Sequence, residues 1–582
     1  MIRKIFRQML AAQILSAMTV MLCMLVDSIM IGRFLGVDSM SAYGLANPVL
    51  LVFAAYGTML SAGIQVMCGK TMGAGDREGT DACFSASAVM ALSVALTGMV
   101  LVLLFLTPLA TLLGAGKPGA DPVFNLTKDY LRGFIIGAPA FITAQIMVPF
   151  MQISGNRTRL ALAVVLMTLS DVAFDLLNVF VFHGGTFGMG LASSFSYYIA
   201  LAVALPYFFS KKCMFRLKLK AVTRRVCGEI LKYGVPTVIN ALAMVVLVFT
   251  LNKVLLSVGG KGAVASYSVI STVGNICYSF SSGAGSVALL LAAIFYSDED
   301  RTAIHSLVRT MSIYSVVMDI VVILAVLPLA PALVGLFLED LSAKDLAVRG
   351  LRLFSFSLLP CSLNSTFKNY YQGIGRVRLT ELISVLQNMA FPVLAALILS
   401  SFLGTDGVWL CFLFGESLTL AVICFIVWRK NGRVSASAED FALLPESFGV
   451  AAADTLEMTV KSQAEAADAS VRAADFCTAH GESARNSMLI SLCVEEMVNN
   501  IVEHGFREGK TYQSVDIRIL FKGDDKVIRI RDNCVSFDPV EYLKLHETDD
   551  PAAHIGIRMV MKMVKKANYV NSLGLNNLTL SL

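Results

Sequence analysis

Three carboxylates stand inside long apolar stretches of the first 182 residues. Asp27 lies in a stretch over 9–31, and Asp171 and Asp175 lie in another over 160–182. A spacing of four places Asp171 and Asp175 on one face of a helix. Ionisable groups at lipid depth are costly and usually face a cavity, a partner or a transport path. Because neighbouring carboxylates in a poorly solvated site do not all ionise easily, this pattern is typical of a proton or cation carrier.

A structural role is the alternative for the same residues. A short shift of its helix would bring Asp27, which is close to Arg33, to a membrane surface, where it would cap a loop or pair with a basic side chain. The second half of the chain offers Asp319, Lys253 and Glu416 at lipid depth, and their spacing shows no comparable pairing.

A second polar group lies near the C-terminus, on a predicted helix. Glu496, Asn500 and His504 share one helical face, and Glu495 with Asn499 offers the same spacing in an alternate frame. A carboxylate and an amide one turn apart suit a hydrated Mg2+ that takes few ligands from the protein and others from phosphates. A solvated polar face is the alternative.

The elements that follow indicate nucleotide binding. A predicted strand over 527–532 ends at Asp532, and Gly556 stands at the start of a helix whose N-terminal NH groups would face phosphate. The sequence has no G-x-x-x-x-G-K-[ST] motif, so ATP hydrolysis by a P-loop is not expected to drive this protein.

The composition places most of these residues in a membrane. The 582 residues are 56% hydrophobic and 15% charged, with a mean hydropathy of +0.70, whereas soluble domains are about 45–50% apolar and about 25% charged. A single soluble enzyme is therefore excluded. The 12 cysteines include no C-x-x-C pair, which argues against a zinc module. Twelve apolar blocks are long enough to span a bilayer: 9–31, 46–68, 82–114, 130–153, 160–182, 188–210, 231–258, 264–296, 310–337, 349–375, 379–403 and 406–429.

Basic residues set the orientation and divide the helices. Clusters at 3–7, 211–225 and 429–433 fall on one side when twelve helices alternate, which predicts that both termini are cytoplasmic. The middle cluster separates six helices from six, so two parallel repeats are expected. Short fragments recur at matching places, as in Gln152–Arg157 and Gln372–Arg376.

The chain changes character after Arg433. From Glu446 onward it carries 15 Lys and Arg against 20 Asp and Glu, a net charge of −5, which leaves +10 for the preceding part. We read 436–450 as a linker and 451–582 as a soluble domain with strands near 455–460, 515–521, 527–532, 569 and 578 and helices near 464–480, 484–504 and 557–566. Strands around helices predict an α+β fold or a layered α/β sandwich.

The membrane part resembles the multidrug and toxic compound extrusion (MATE) family. The resemblance rests on Asp27–Gly36, Ala42–Pro48, Gln152–Arg157 and Asp175–Phe180, and it covers about residues 1–430. It implies a twelve-helix transporter of two six-helix lobes, 1–210 and 211–435, in the cytoplasmic membrane. Such a protein exchanges H+ or Na+ for small organic compounds, and its partners are the lipid bilayer and its substrate, with no nucleic acid.

The same resemblance assigns ion-coupling residues. Family members carry acidic residues of the N-lobe cation site on helices one and five, which correspond to Asp27 and Asp175. Asp171 stands where the family more often has an amide, so the coupling ion is not fixed.

The soluble domain resembles the GHKL superfamily of ATPases and kinases, closest to the anti-sigma-factor serine kinases. The resemblance implies ATP and Mg2+ as cofactors. It makes Glu496 the catalytic carboxylate, Asn500 the Mg2+ ligand, Asp532 the acceptor for adenine and Gly556 part of the phosphate-facing lid, with His504 on the same helical face. Cys534 and Ser536 replace the usual glycines, and the lid over 548–554 is glycine-poor.

Two functions are compatible with this sequence, and a third possibility is that the C-terminal domain is only an assembly module. The first is a cation-coupled exporter that its nucleotide-binding domain regulates. The second is a membrane sensor whose soluble domain phosphorylates or sequesters a cytoplasmic regulatory protein. Whether the domain is a serine/threonine kinase or a degenerate nucleotide-binding module is left open by the resemblance.

Overall fold

A computed structural model describes residues 2–113, 115, 122–210, 213–337, 341–432, 437–445, 448–506, 513–523, 525–545, 555–572 and 574–582. The predicted lid over 548–554 and the basic residues Lys211, Lys212 and Arg433 lie outside these ranges. The described residues form a helical membrane part in two lobes and a C-terminal α/β domain.

The N-lobe is built from helices α1 to α8. Their bounds are α1 Ile2–Met30, α2 Val37–Gly73, α3 Arg77–Leu104, α4 Leu106–Leu112, α5 Pro122–Ile135, α6 Ala138–Ile153, α7 Arg157–Leu177 and α8 Gly185–Phe208. The C-lobe is built from α9 Arg224–Ser297, α10 Arg301–Gly335, α11 Leu341–Ser355, α12 Leu358–Gly373, α13 Val377–Val385, α14 Phe391–Leu403 and α15 Thr405–Asn431.

The helices agree with the predicted apolar blocks. Within the described residues, nine helices are long and apolar enough to cross a membrane, or up to eleven if each of two bent pairs is one span. The bent pairs are α5 with α6 and α11 with α12, and α1 covers the remaining block, 9–31. Helix α9 counts as two spans, because non-helical backbone at Gly260 divides it.

The two lobes repeat the same irregularities, which supports the predicted duplication. Gly36 and Gly260 have φ of +88° and +65° after the first helix of each lobe, a conformation that costs glycine little. The α5–α6 bend is 47° and the α11–α12 bend is 49°. Short π-helices at Asn178–Phe182 and Leu386–Ala390 follow α7 and α13.

The lobes pack together on the side where the soluble domain lies. Gly73 at the end of α2 meets α9 so closely that a Cβ there would be 2.3 Å from the carbonyl oxygen of Ile294. The Ser297 hydroxyl donates to the carbonyl of Lys70 at 2.5 Å. The largest buried core contains residues of both lobes, so this side of the membrane part is closed.

The soluble domain is one antiparallel sheet covered by helices on one face. Its strands are β1 Thr455–Val460, β2 Val515–Lys522, β3 Asp525–Asp532, β4 Lys566–Ser572 and β5 Leu575–Ser581, in the order β1-β2-β3-β5-β4. Its helices are α16 Gln463–Ala479, α17 Ala484–Gly505, α18 Pro539–Leu545 and α19 Ile555–Met563. Alternate residues of β3, such as Ile528 and Ile530, are buried in the core between sheet and helices.

The segment between the membrane part and the sheet is packed rather than free. Ala442 and Leu443 are 1% and 2% exposed. Tyr370 on α12 donates its hydroxyl to the carbonyl of Ala442 at 3.0 Å, and Phe441 stacks on Phe367. This segment therefore attaches the soluble domain to the C-lobe.

Candidate functional site

The acidic group of the N-lobe is formed by α1 and α7. Asp171 and Asp175 are 4% and 0% exposed, and Asp27 is half-buried. Asp27 lies beside Asp175, and both interact electrostatically with Asp171. The structure thus brings together all three carboxylates that the sequence singled out.

These carboxylates have few polar contacts. One oxygen each of Asp27 and Asp171 and both oxygens of Asp175 are buried without a hydrogen-bond partner. In the described part of the chain, none of the three is ion-paired with lysine, arginine or histidine. Buried oxygens that the protein leaves unsatisfied are suited to a proton or a desolvated cation.

Neighbouring polar groups surround this site, and the sequence did not reveal them. Cys23 and Ser196 lie beside Asp171, and the buried hydroxyls of Tyr130 and Tyr197 are close enough to feel the carboxylate charges. Tyrosine and cysteine are common in apolar helices, so only the folded arrangement identifies them.

The C-lobe contains a different polar network, which the sequence reading missed because it overlooked Lys368. The Lys368 ammonium is buried and donates to Asn240 at 2.7 Å and to Gln387 at 3.1 Å. The Gln387 amide in turn donates to Glu416 Oε2 at 3.1 Å, and Asn364 donates to the same oxygen at 2.8 Å. Glu416 is therefore linked to a buried cation through an amide.

A cavity of about 390 Å³ lies in the soluble domain between α17, the end of β3 and α18. This volume is within the usual range for small-molecule sites, about 300–1,000 Å³. The predicted residues Asn500, His504 and Asp532 line the cavity. The alternate helical frame, Glu495 with Asn499, does not face the cavity. Glu495 is exposed, and neither residue is among the lining residues that the structure describes.

Asp532 lies at the floor of the cavity in a buried hydrogen-bond network. Its Oδ1 accepts from Asn576 Nδ2 at 2.7 Å and from the backbone NH of Cys534 at 2.9 Å. The Tyr569 hydroxyl donates to Asn576 Oδ1 at 2.7 Å and lies 2.9 Å from Ser536 Oγ. Burial raises the pKa of Asp532, against the opposing effect of the bonds from Cys534 and Asn576.

Glu496 and Gly556 meet at one side of this cavity. A Cβ on Gly556 would be 1.9 Å from Glu496 Oε2, so a larger residue at this position would displace the Glu496 carboxylate. Neither residue is among the described lining of the cavity.

This arrangement fits a nucleotide. A buried acceptor at Asp532 suits an exocyclic amino group, and Asn500 is an oxygen ligand of the kind Mg2+ takes. Among the described residues there is no cluster of three or more His, Cys, Asp or Glu that would hold a metal alone, so such an ion would need phosphate oxygens.

Two family models match this chain. The MatE model matches residues 12–177 and 236–397, and the histidine kinase-like ATPase domain matches residues 459–582. The first match covers more than half of the chain and includes Asp27, Asp171 and Asp175.

Curated relatives and solved structures agree with the first match. The multidrug export protein MepA of Staphylococcus aureus strain RF122 is 24% identical over 404 residues, which are 69% of this chain and 88% of the relative. MepA of Staphylococcus saprophyticus is 24% identical over 407 residues, with the same coverage. An outward-facing multidrug resistance MATE family transporter superposes with a TM-score of 0.67 at 21% identity, over 72% of this chain and 94% of the other. The Vibrio cholerae MATE transporter VcmN gives a TM-score of 0.67 at 18% identity, over 76% and 98%.

Proposed function

Given that this chain belongs to the MatE family, we propose that it exports small organic compounds in exchange for H+ or Na+ and that its soluble domain binds nucleotide. One observation carries the coupling: three neighbouring carboxylates of the N-lobe lie at lipid depth without a basic partner among the described residues. The names of the MepA relatives, which are multidrug export proteins, support a substrate class of organic compounds.

Cation uptake follows from the charges of this group. When Asp27, Asp171 and Asp175 are ionised, mutual repulsion and burial disfavour their close approach. A proton or Na+ between α1 and α7 removes that cost, so the two helices draw together when the cation is bound. A substrate that prefers the separated arrangement is then released as the cation enters, which is exchange by opposed preferences of two ligands.

We assign the protein to the cytoplasmic membrane with both termini in the cytoplasm. Positively charged loops favour the cytoplasmic side. Arg216 of the basic loop pairs with Glu541 of the soluble domain at 3.9 Å, so this loop and the domain lie on the same side.

The soluble domain takes ATP with Mg2+ in this proposal. Asp532 accepts from the adenine amino group, Asn500 contributes an oxygen ligand to the metal, and Glu496, Gly556 and His504 lie at the phosphate end. Isothermal titration of the full chain with Mg·ATP tests this assignment. We expect heat from the wild-type chain and none from Asp532→Ala, and no heat from the wild type at millimolar nucleotide would exclude it.

Export is tested in proteoliposomes with ethidium as the probe cation. Ethidium flux is measured under a pH gradient alone, a Na+ gradient alone and neither, each with and without Mg·ATP. We expect one of the two gradients to drive flux, and Mg·ATP to change its rate without replacing the gradient. Equal flux in the absence of both gradients would contradict ion coupling.

A further inference from the structure

The outer face of the soluble sheet contacts two loops that correspond in the two lobes. One is the α2–α3 loop, which contains Gly75 and Asp76 and leads into Arg77 at the start of α3. The other is the α9–α10 loop, which contains Glu299 and Asp300 and leads into Arg301 at the start of α10. Asp76 and Asp300 each cap the next helix, and the residue before each has a positive φ. The two loops follow α2 and α9, the helices that meet where the membrane part is closed on this side.

A network of partly buried ion pairs joins the sheet to the α9–α10 loop of the C-lobe. Arg529 and Arg531 alternate with the buried residues of β3, so they extend from the opposite face. Each places a guanidinium nitrogen 2.8 Å from an oxygen of Asp298, which is 8% exposed. Arg518 pairs with Asp300 at 3.1 Å. Partly buried ion pairs that form a network contribute more to stability than single exposed ion pairs do.

Glu299 adds a more exposed pair to this contact. It has φ of +51° where the N-lobe loop has glycine, and its carboxylate lies 2.7 Å from Lys522 Nζ. A glutamate in this left-handed backbone conformation has a higher conformational energy than a glycine would have.

The ion pair between the soluble domain and the N-lobe is more exposed and lies at the rim of the nucleotide cavity. Asp538 pairs with Arg77 at 3.1 Å, and Asn568 donates to the carbonyl of Gly75. The same turn places Pro539 and Tyr542 in the cavity lining. The segment 538–542 therefore connects the cavity lining to the ion pair with Arg77, whereas the contact of Asn568 with Gly75 lies on β4.

We infer that the soluble sheet is a latch, which holds the α2–α3 and α9–α10 loops together, keeps the membrane part closed on the side of the domain, and is released from the N-lobe when Mg·ATP enters the cavity. The nucleotide step rests on the proposed function, whereas the latch itself rests on the contacts above. Cys534, Ser536 and Phe537 line the cavity immediately before Asp538, so we expect a ligand that enters to displace the segment that carries Asp538. The pairs that Arg518, Arg529 and Arg531 make with the α9–α10 loop, on the body of the sheet, stay in place.

Distances between spin labels test the latch in the full chain in lipid nanodiscs. Labels at Glu78 of the N-lobe and Arg309 of the C-lobe, both exposed, are introduced as a noncanonical amino acid so that the native cysteines stay. We expect one short distance in the wild-type chain. Arg529→Ala/Arg531→Ala should raise the ratio of long to short distances at least tenfold, and Mg·ATP should do the same in the wild type but not in Asp532→Ala.

An ion-pair swap keeps the test decisive if the double arginine variant does not fold. Arg77→Asp and Asp538→Arg should each produce the long distance, and the combined swap should restore the short one. Arg225→Glu is the matched control, because Arg225 is exposed on the same side and its ion-pair partner among the described residues is Glu229 of the same helix. Unchanged distances in both single variants would overturn the latch. Heat from Mg·ATP without a change in distance would overturn the nucleotide step, and absent ethidium flux with the expected distances would refute export alone.

Discussion

The two lobes contain buried charges that are arranged in opposite ways. In the N-lobe, Asp27, Asp171 and Asp175 lie near one another, and four of their oxygens have no hydrogen-bond partner among the residues that the structure describes. In the C-lobe, Glu416 accepts from two amides, one of which also binds the Lys368 ammonium. The fold is duplicated, but the chemistry is not.

This difference indicates which lobe exchanges a cation. A carboxylate that two amides already satisfy, one of them bound to a buried ammonium, gains little from a further ligand. Removing a member of such a network leaves another buried group with fewer partners. Unsatisfied carboxylates gain a great deal from a proton or metal ion. We therefore propose that the N-lobe couples transport to a cation and that the C-lobe network stabilises the fold.

The largest effect should come from the most buried carboxylate. Asp175→Asn keeps the size of the side chain but removes the charge, so we expect about a hundredfold loss of gradient-driven ethidium flux in proteoliposomes, which corresponds to about 2.7 kcal/mol. Glu416→Gln is the matched control in the C-lobe and should retain flux within a few-fold. Equal losses in the two variants would remove the distinction between the lobes.

Stability should show the reverse pattern. Lys368→Met removes one donor from Asn240 Oδ1, which still accepts from Asn388, and the ammonium donor from Gln387 Oε1. We therefore expect a loss of about 1–3 kcal/mol, measured as a lower melting temperature in detergent. The purified variant should keep the ion dependence of flux. A change of coupling ion in Lys368→Met would place the C-lobe network in the transport cycle.

Asp532 combines features of both groups, since it is buried like Asp175 and hydrogen-bonded like Glu416. Asp532→Asn should weaken Mg·ATP binding about tenfold in titration calorimetry, because one charge-assisted hydrogen bond is lost. Asp525→Asn, at the exposed end of the same strand, should bind as the wild type does. If both variants bind equally, the cavity does not use Asp532.

The smallest effect is expected at Asp171. Its neighbours Cys23 and Ser196 give it more polar surroundings than Asp175 has. Asp171→Asn should therefore lower ethidium flux by only about two- to fivefold. It should also change the preference between H+ and Na+, because the loss of one carboxylate charge weakens the binding of a metal ion more than the binding of a proton. Flux as low as in Asp175→Asn would make the two residues equivalent.

The sequence predicted the parts of this molecule that depend on local pattern. The apolar blocks, the recurring fragments Gln152–Arg157 and Gln372–Arg376, and the strands of the soluble domain all follow from residue type and spacing. Isolated carboxylates at lipid depth are rare enough to identify the N-lobe group from sequence alone.

The rest depends on contacts between distant segments. Asp298 and Arg531 are 233 residues apart, and Asn576 lies 44 residues beyond Asp532, so no local pattern joins them. The segment 437–445 has the composition of a linker, yet it buries Leu443 against the C-lobe. In the sequence, Lys368 looks like a residue near the end of a helix. Its burial depends on partners on α9 and on the π-helix at 386–390, which no local pattern reveals.

Cation release on substrate binding tests the central claim most directly. Ethidium is added to the purified chain in weakly buffered detergent, and released H+ and Na+ are measured with a pH indicator and a Na+-selective electrode. We predict release of one of these ions from the wild type and from Glu416→Gln, and none from Asp27→Asn/Asp171→Asn/Asp175→Asn. Equal release from that triple variant, with ethidium still bound, would contradict coupling by the N-lobe carboxylates.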